Sequence, residues 1–113
     1  MRTNIDETLT ALADPARRAI VDLLCRRPLR PSEVAEELDI SRPAMSRHLR
    51  VLRKAGLIEE EMLLDDARSR LLQLRRQPFK QLRDWVDEVE RFWTEQFQAF
   101  KAHAERTRNR SGR

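Results

Sequence analysis

Residues 41–57, SRPAMSRHLRVLRKAGL, carry a start signal, a stop signal and a buried stripe, and so fix one helix before the rest of the chain is considered. Ser41 suits the N-cap, where its hydroxyl accepts a bond from an orphan backbone N–H of the first turn. Pro43 lies just inside the start, where its missing N–H does little harm. Gly56 supplies the left-handed residue that commonly closes a helix. Met45, Leu49 and Leu52 recur at helical spacing and predict the buried side. The other face holds Arg42, Ser46, Arg47, Arg50, Arg53 and Lys54, with no acidic residue among them. One apolar stripe opposite a cationic, hydroxyl-bearing face suits a helix lying in a DNA major groove. An ordinary surface helix with solvated arginines is the plainer alternative, and the helix by itself does not choose.

The placement of charge along the chain weighs on the first side. Net charge is +4 with a pI near 10.2, which favours an anionic partner. Residues 41–58 and 67–83 contain basic residues and no acid, and they flank EEEMLLDD (59–66), which holds five acids and no base. A length of 113 residues fits one domain, or one domain with an appendage. Cys25 is the single cysteine, so there is no intramolecular disulfide framework and a reducing compartment is expected. The polar, acidic MRTNIDETLTALAD start is unlike a secretory signal, and no apolar run approaches the ~18–20 residues that span a bilayer. A cytoplasmic protein with no membrane partner is expected. With only Gly56 and Gly112 there is no phosphate-cradling glycine loop, and no Ser-His-Asp or Cys-His set stands out. An enzyme is therefore not expected, and no cofactor is called for.

In chain order, residues 4–13 predict a short helix with Ile5, Leu9 and Leu12 on one side. Asp14-Pro15 is a strong start signal for the next, ARRAIVDLLCRR, whose expected core positions are Ala16, Ala19, Ile20, Leu23 and Leu24. Arg17 and Arg18 are expected to stay exposed, Pro28 ends the helix, and Cys25 reads as a small buried hydrophobe. Pro31-Ser32-Glu33 opens a third helix with Val34, Ala35 and Leu38 inward. Only Asp39-Ile40 separates it from the helix at Ser41, a helix-turn-helix spacing whose second member is the longer and more basic. After Gly56 the period changes. Residues 57–75 read as two strands joined by a turn near Asp65-Asp66-Ala67, with a single helix over 59–74 as the alternative. A helix-turn-helix (31–56) followed by a hairpin wing (57–75) is a mainly α winged-helix arrangement, with Arg68, Ser69 and Arg70 at or just beyond the wing tip.

Pro78 starts the last element, a helix over 78–103 in which Phe79, Leu82, Val86, Val89, Trp93, Phe97 and Phe100 step by threes and fours. Every aromatic residue of the chain lies on it: Phe79, Trp85, Phe92, Trp93, Phe97 and Phe100. So broad an aromatic surface exceeds what one small body can cover, and such patches mark partner sites, a helix that only closes its own core being the plainer alternative. The simplest partner is a second copy. Trp85, Val89, Phe92, Trp93, Phe97 and Phe100, with Ile5, Leu9 and Leu12 of the first helix, are the candidate dimer interface. Residues 1–103 then form the winged-helix and dimerisation domain, and the basic stretch 104–113 is expected to be a flexible tail.

The strings ALADPARRAIVDLL (11–24), SEVAEELDISRPAMSRHLRVLRKAGLI (32–58) and RFWTEQF (91–97) resemble the ArsR family of bacterial winged-helix regulators. The resemblance implies a homodimer whose first and last helices build the interface, and repression of transcription through an operator with two half-sites. Metal sensors of that family use a Cys-x-Cys pair ahead of the recognition helix, or carboxylates and histidines on the last helix. Here LRPSEVAEEL (29–38) has no cysteine, His103 stands alone beyond Asp84, Asp87 and Glu90, and Cys25, His48 and His103 are far apart in sequence. A metal site needs three or four convergent donors, so none is expected. RFWTEQF instead resembles a metal-free branch, which leaves room for a small-molecule effector of unspecified chemistry. Arg30 stands where the family usually places a Ser or Thr cap, and Arg42 replaces a common glutamine. The acids ahead of the wing turn are expected to tip the strands away from DNA.

The side chains divide by reach. Arg42, Ser46 and Arg47 on the early turns are expected at base edges of double-stranded DNA, with Pro43 and Ala44 against thymine methyls. Arg50, Arg53, Arg68 and Arg70 are expected on phosphates, and Ser32 and Ser41 at helix N-termini beside them. His48 is a bordering residue and not a catalyst. The competing class is a winged-helix protein–protein module whose basic face takes an acidic partner.

Overall fold

In the computed structural model, which describes residues 2–62 and 70–111, the chain forms five helices and a two-stranded antiparallel hairpin. It divides into two units, Met1–Gln81 and Leu82–Arg113.

The first unit begins with α1 (Arg2–Leu12) and α2 (Pro15–Arg26). Asp14 caps α2 as its type and the following proline predict: its carboxylate accepts from the backbone N–H of Ala16 at 2.8 Å and of Arg17 at 3.3 Å. Arg17 and Arg18 are not simply solvated. Arg17 Nε donates to the Ala11 carbonyl at 2.6 Å, and Arg18 Nη1 donates to the carbonyls of Leu12 at 2.7 Å and Ala13 at 3.1 Å. The last carbonyls of a helix lack intrahelical partners and carry the negative end of its dipole. The start of α2 thus caps the end of α1.

The inner faces differ in detail from expectation. On α1 the fully buried residues are Thr8 and Ala11, while Leu9 is exposed. On α2 Ile20, Val21 and Leu24 are buried, with Ala16, Ala19 and Leu23 at the margin. Cys25 is exposed, not buried: it lies in the last turn of α2, one position past Leu24, the last buried residue of that helix.

Helix α3 (Pro31–Leu38) starts without a side-chain cap from Arg30; the Glu33 carboxylate accepts from the Arg30 N–H at 3.0 Å instead. Its end is sharp. Asp39 adopts φ 53°, in the left-handed region where Asp is better tolerated than most residues. The Ile40 N–H returns to the Ala35 carbonyl at 2.9 Å. This turn leads into α4 (Arg42–Lys54), whose buried residues are Met45, Leu49 and Leu52, the stripe read from spacing.

Strands β1 (Ile58–Met62) and β2 (Arg70–Leu74) pair antiparallel, with Ile58 opposite Leu74, Glu60 opposite Leu72 and Met62 opposite Arg70. A single helix over 59–74 is thereby excluded. The turn near residues 65–67 lies outside the described residues. Leu29 adds a third rung: its N–H and carbonyl exchange bonds with Leu72, at 3.2 and 2.7 Å. Ile20, Val34, Leu52, Leu57 and Leu72 are fully buried in one cluster, and each such burial stabilises by ~1.5–3 kcal/mol.

Helix α5 (Arg76–Ser111) starts two residues before Pro78, which sits in the first turn where a proline removes no intrahelical bond. Phe79 packs against the core of the first unit. In the second unit the helix does not end at 103. It runs through the expected tail to Ser111, because AERTRNRS contains no Gly or Pro and its Ala104, Glu105 and three arginines are good helix formers. Phe92, Trp93, Phe97 and Phe100 are exposed, up to 71% for Phe100, and Trp85, Val86 and Val89 are exposed beside them.

Candidate nucleic-acid interface

The geometry of α4 follows from its two ends. The Ser41 hydroxyl accepts from the Ala44 N–H at 3.3 Å, and the chain leaves the helix through Gly56 at φ 75°. With Met45, Leu49 and Leu52 fixed inward, Arg42, Pro43, Ser46, Arg47, Arg50, Arg53 and Lys54 are all exposed, and Ala44 is half-buried. The exposed face therefore presents four arginines, a lysine and a hydroxyl before the helix reaches the hairpin, with no carboxylate on the helix itself. Such a face attracts phosphate and can read guanine by a bidentate arginine. The Ser41 hydroxyl is engaged in the cap, while Ser32 is exposed in the first turn of α3.

His48 borders the stripe, half-buried, and its Nδ1 is enclosed with no hydrogen-bond partner among the described residues. Its charge also reaches Asp14. Burial alone pushes the Asp14 carboxyl up, but the backbone N–H groups of Arg17 and Ala16, the Arg17 guanidinium and His48 together hold it below its ordinary value of 3.8.

The wing contributes a feature that the sequence reading missed. Glu60 Oε2 takes Arg70 Nη1 at 3.2 Å, and Glu60 Oε1 takes Arg53 Nη2. Two arginines expected to meet phosphate, one from α4 and one from β2, thus share one carboxylate. Alternation along β1 was the available signal, since of Glu59, Glu60 and Glu61 only the middle one shares a face with Ile58. Glu59 pairs elsewhere, accepting from Gln73 Nε2 at 3.2 Å and lying 3.9 Å from Arg75 Nε. Arg68 lies outside the described residues. The structure brings Arg42, Ser46, Arg47, Arg50 and Arg53 onto one helix face and joins Arg70 to it through Glu60. Of the expected dimer residues, Leu9 is exposed and Ile5 and Leu12 are half-buried on α1, whereas Trp85, Val89, Phe92, Trp93, Phe97 and Phe100 are exposed on α5.

A capped basic helix after a short turn, followed by a hairpin, defines a winged helix-turn-helix protein of the DNA-binding class. The family described as bacterial regulatory protein, arsR family, matches residues 14–60. The chain is 42% identical to the HTH-type transcriptional regulator Rv2034 of Mycobacterium tuberculosis, over 79% of this chain and 78% of that protein. It is 36% identical to the transcriptional repressor SdpR of Bacillus subtilis, over 50% of this chain and 62% of that protein. A solved ArsR family transcriptional regulator superposes with a TM-score of 0.72 at 30% identity, over 80% of this chain and 97% of that one. An ArsR-like regulator from Rhodococcus sp. RHA1 shares the fold, with a TM-score of 0.77 at 23% identity over 88% of this chain and 92% of that one. The chain belongs to the arsR family of bacterial regulatory proteins. It is a DNA-binding transcriptional regulator, and the family is not one of enzymes. No described helix is long and apolar enough to cross a membrane.

Proposed function

We propose that this regulator is a homodimeric repressor that binds double-stranded DNA at an operator with two half-sites, one α4 entering the major groove at each. The observation that carries the reading is the acid-free exposed face of α4, set by the Ser41 cap and the buried Met45, Leu49 and Leu52. Arg42, Ser46 and Arg47 read base edges, with Pro43 and Ala44 against thymine methyls. Arg50, Arg53, Arg68 and Arg70 take phosphates, which set register and salt dependence. The exposed aromatic face of α5, with Leu9, Ile5 and Leu12 of α1, supports a second copy as partner. The relative named a repressor supports repression as the outcome. The signal it answers to is taken to be something other than a metal, on the sequence grounds that LRPSEVAEEL (29–38) holds no cysteine and that His103 has no histidine partner on the last helix.

Selection of bound duplexes from a random pool, with and without zinc, tests the proposal. Two related half-sites with the same preference in both conditions are expected. Recovery of no preferred sequence would remove the specific-binding reading, and a zinc-dependent shift would remove the metal-free one. Arg47→Ala is expected to weaken binding to the selected duplex by about 1–3 kcal/mol and to relax one base position. A preference identical to that of the unaltered protein would take Arg47 out of base reading.

A further inference from the structure

The inner face of the hairpin changes character along its length. Ile58, Leu72 and Leu74 face the core, with Leu72 fully buried and Ile58 3% exposed. Glu60 lies directly opposite Leu72 and so points to the same inner side, where a carboxylate is out of place unless it is paired. It is paired twice. Its side chain is only 19% exposed, while Arg53 and Arg70 on either side of it are 47% and 57% exposed. An arginine has five N–H donors. Glu60 engages one nitrogen of each, Arg53 Nη2 and Arg70 Nη1, and both arginines remain exposed.

We infer that Glu60 is a positioning residue for DNA recognition: it fixes Arg53 of α4 and Arg70 of the wing as one two-arginine phosphate clamp and thereby sets the register of α4 on the operator. The inference rests on the DNA-binding reading above. Without the carboxylate, two guanidinium groups of like charge lie side by side with nothing between them, and they move apart. Phosphate contacts carry no sequence information, but they decide where the base-reading residues fall. A clamp that is free to wander still attracts DNA, yet it no longer holds Arg42, Ser46 and Arg47 over a particular set of bases.

This makes an expectation opposite in sign to simple charge counting. Glu60→Gln adds one positive charge to the protein, and on electrostatics alone it tightens binding to every duplex. As a positioning residue, its loss weakens binding to the selected duplex while leaving binding to a scrambled duplex of the same length unchanged or tighter.

The experiment measures dissociation constants of the full chain on both duplexes across a salt series. The variants are Glu60→Gln, Glu60→Asp, the Arg53→Gln/Arg70→Gln pair, and that pair combined with Glu60→Gln. The ratio of the two constants is the readout, because partial unfolding scales both alike and leaves it unchanged. Expected are a ratio lowered severalfold in Glu60→Gln and largely restored by Glu60→Asp. The salt slope on the selected duplex should be smaller by about 1–2 in the arginine pair, with no further change when Glu60→Gln is added to that pair. A Glu60→Gln protein that binds both duplexes tighter by one factor would make Glu60 a competitor of phosphate and overturn the inference. An unchanged ratio, or a Glu60→Gln effect that persists without the two arginines, overturns it equally. If the unaltered protein fails to distinguish the two duplexes, the DNA reading falls first and the inference with it.

Discussion

Single residues at the joints of this fold serve two elements at once. Asp14 caps α2 through the N–H groups of Ala16 and Arg17 and faces Arg17 at 3.6 Å, while Arg17 itself reaches back to the Ala11 carbonyl at the end of α1. The native carboxyl is held below 3.8, despite the opposing effect of burial, by those N–H groups and by the charges of Arg17 and His48. A carboxyl lowered in the folded state stabilises the fold above its unfolded value, and that stabilisation is lost as pH falls through the native one. Asn keeps the cap acceptor but not the charge. Asp14→Asn is therefore expected to be less stable than the unaltered protein at neutral pH, with the gap closing as pH is taken below 3.8. Urea midpoints of the two proteins across that range check it, and a gap independent of pH would show that the charge plays no part. Arg18 is exposed as its position predicts, while Arg17 is half-buried. In the string DPARR the two arginines look like solvated charges, and only the return of α2 against the end of α1 gives them carbonyls to bond.

Between elements, the joint from α4 into the wing is made at Leu57. Leu57 is fully buried, its N–H bonds the Leu52 carbonyl at 3.0 Å, and its carbonyl takes the Arg75 N–H at 2.9 Å. Gly56 makes this turn at φ 75°, and a Cβ there would lie 3.3 Å from Arg75 Nη1, which can swing away, so the penalty is mainly backbone strain. Gly56→Ala is expected to lower stability by about 1–2 kcal/mol, read as a lower urea midpoint with an unchanged slope. An unshifted midpoint would mean that the turn relaxes out of the left-handed region. What sequence made legible at this scale was whatever depends on near neighbours. The Ser41 cap, the Asp14-Pro15 start, the Met45, Leu49 and Leu52 stripe and the closing glycine are all set within a few residues. The Leu29–Leu72 rung depends on segments 43 residues apart in sequence, and nothing local to Leu29 announces it. Glu60 was hidden inside an acidic triplet, although strand alternation separates it from Glu59 and Glu61. The acids before the turn suggest a wing tipped away from DNA; the middle one also ties the wing to α4.

At the scale of the molecule, the body Met1–Gln81 holds the buried core, while the second unit is helix as far as it is described, through Ser111, with a large apolar surface of its own. Val86, Val89, Trp93, Phe97 and Phe100 recur by threes and fours along a 36-residue helix that carries on to Ser111. Burying such a face in water-exposed surroundings is favourable at ~25 cal/mol per Å², and a symmetric pair buries it twice. The proposed dimer would cover that face, and operator affinity is expected to depend on the pairing. A single α4 addresses one half-site, whereas a dimer makes the second contact intramolecular and gains affinity by an effective concentration. Half-sites one helical turn apart, about 34–36 Å, require two copies held together. Trp93→Glu with Phe97→Glu replaces residues 68% and 60% exposed in the chain, so the helix and the winged-helix core are expected to survive the change. The doubly substituted protein should sediment as a monomer, keep its helical circular dichroism, and lose roughly 10²–10⁴ in affinity for a two-half-site duplex. Its affinity for a duplex carrying one half-site should equal that of one subunit of the unaltered protein. A protein that still sediments as a dimer would move the interface off α5. A monomer that binds the full site as tightly as before would instead show that each half-site is read independently, and that pairing of copies contributes nothing to operator affinity.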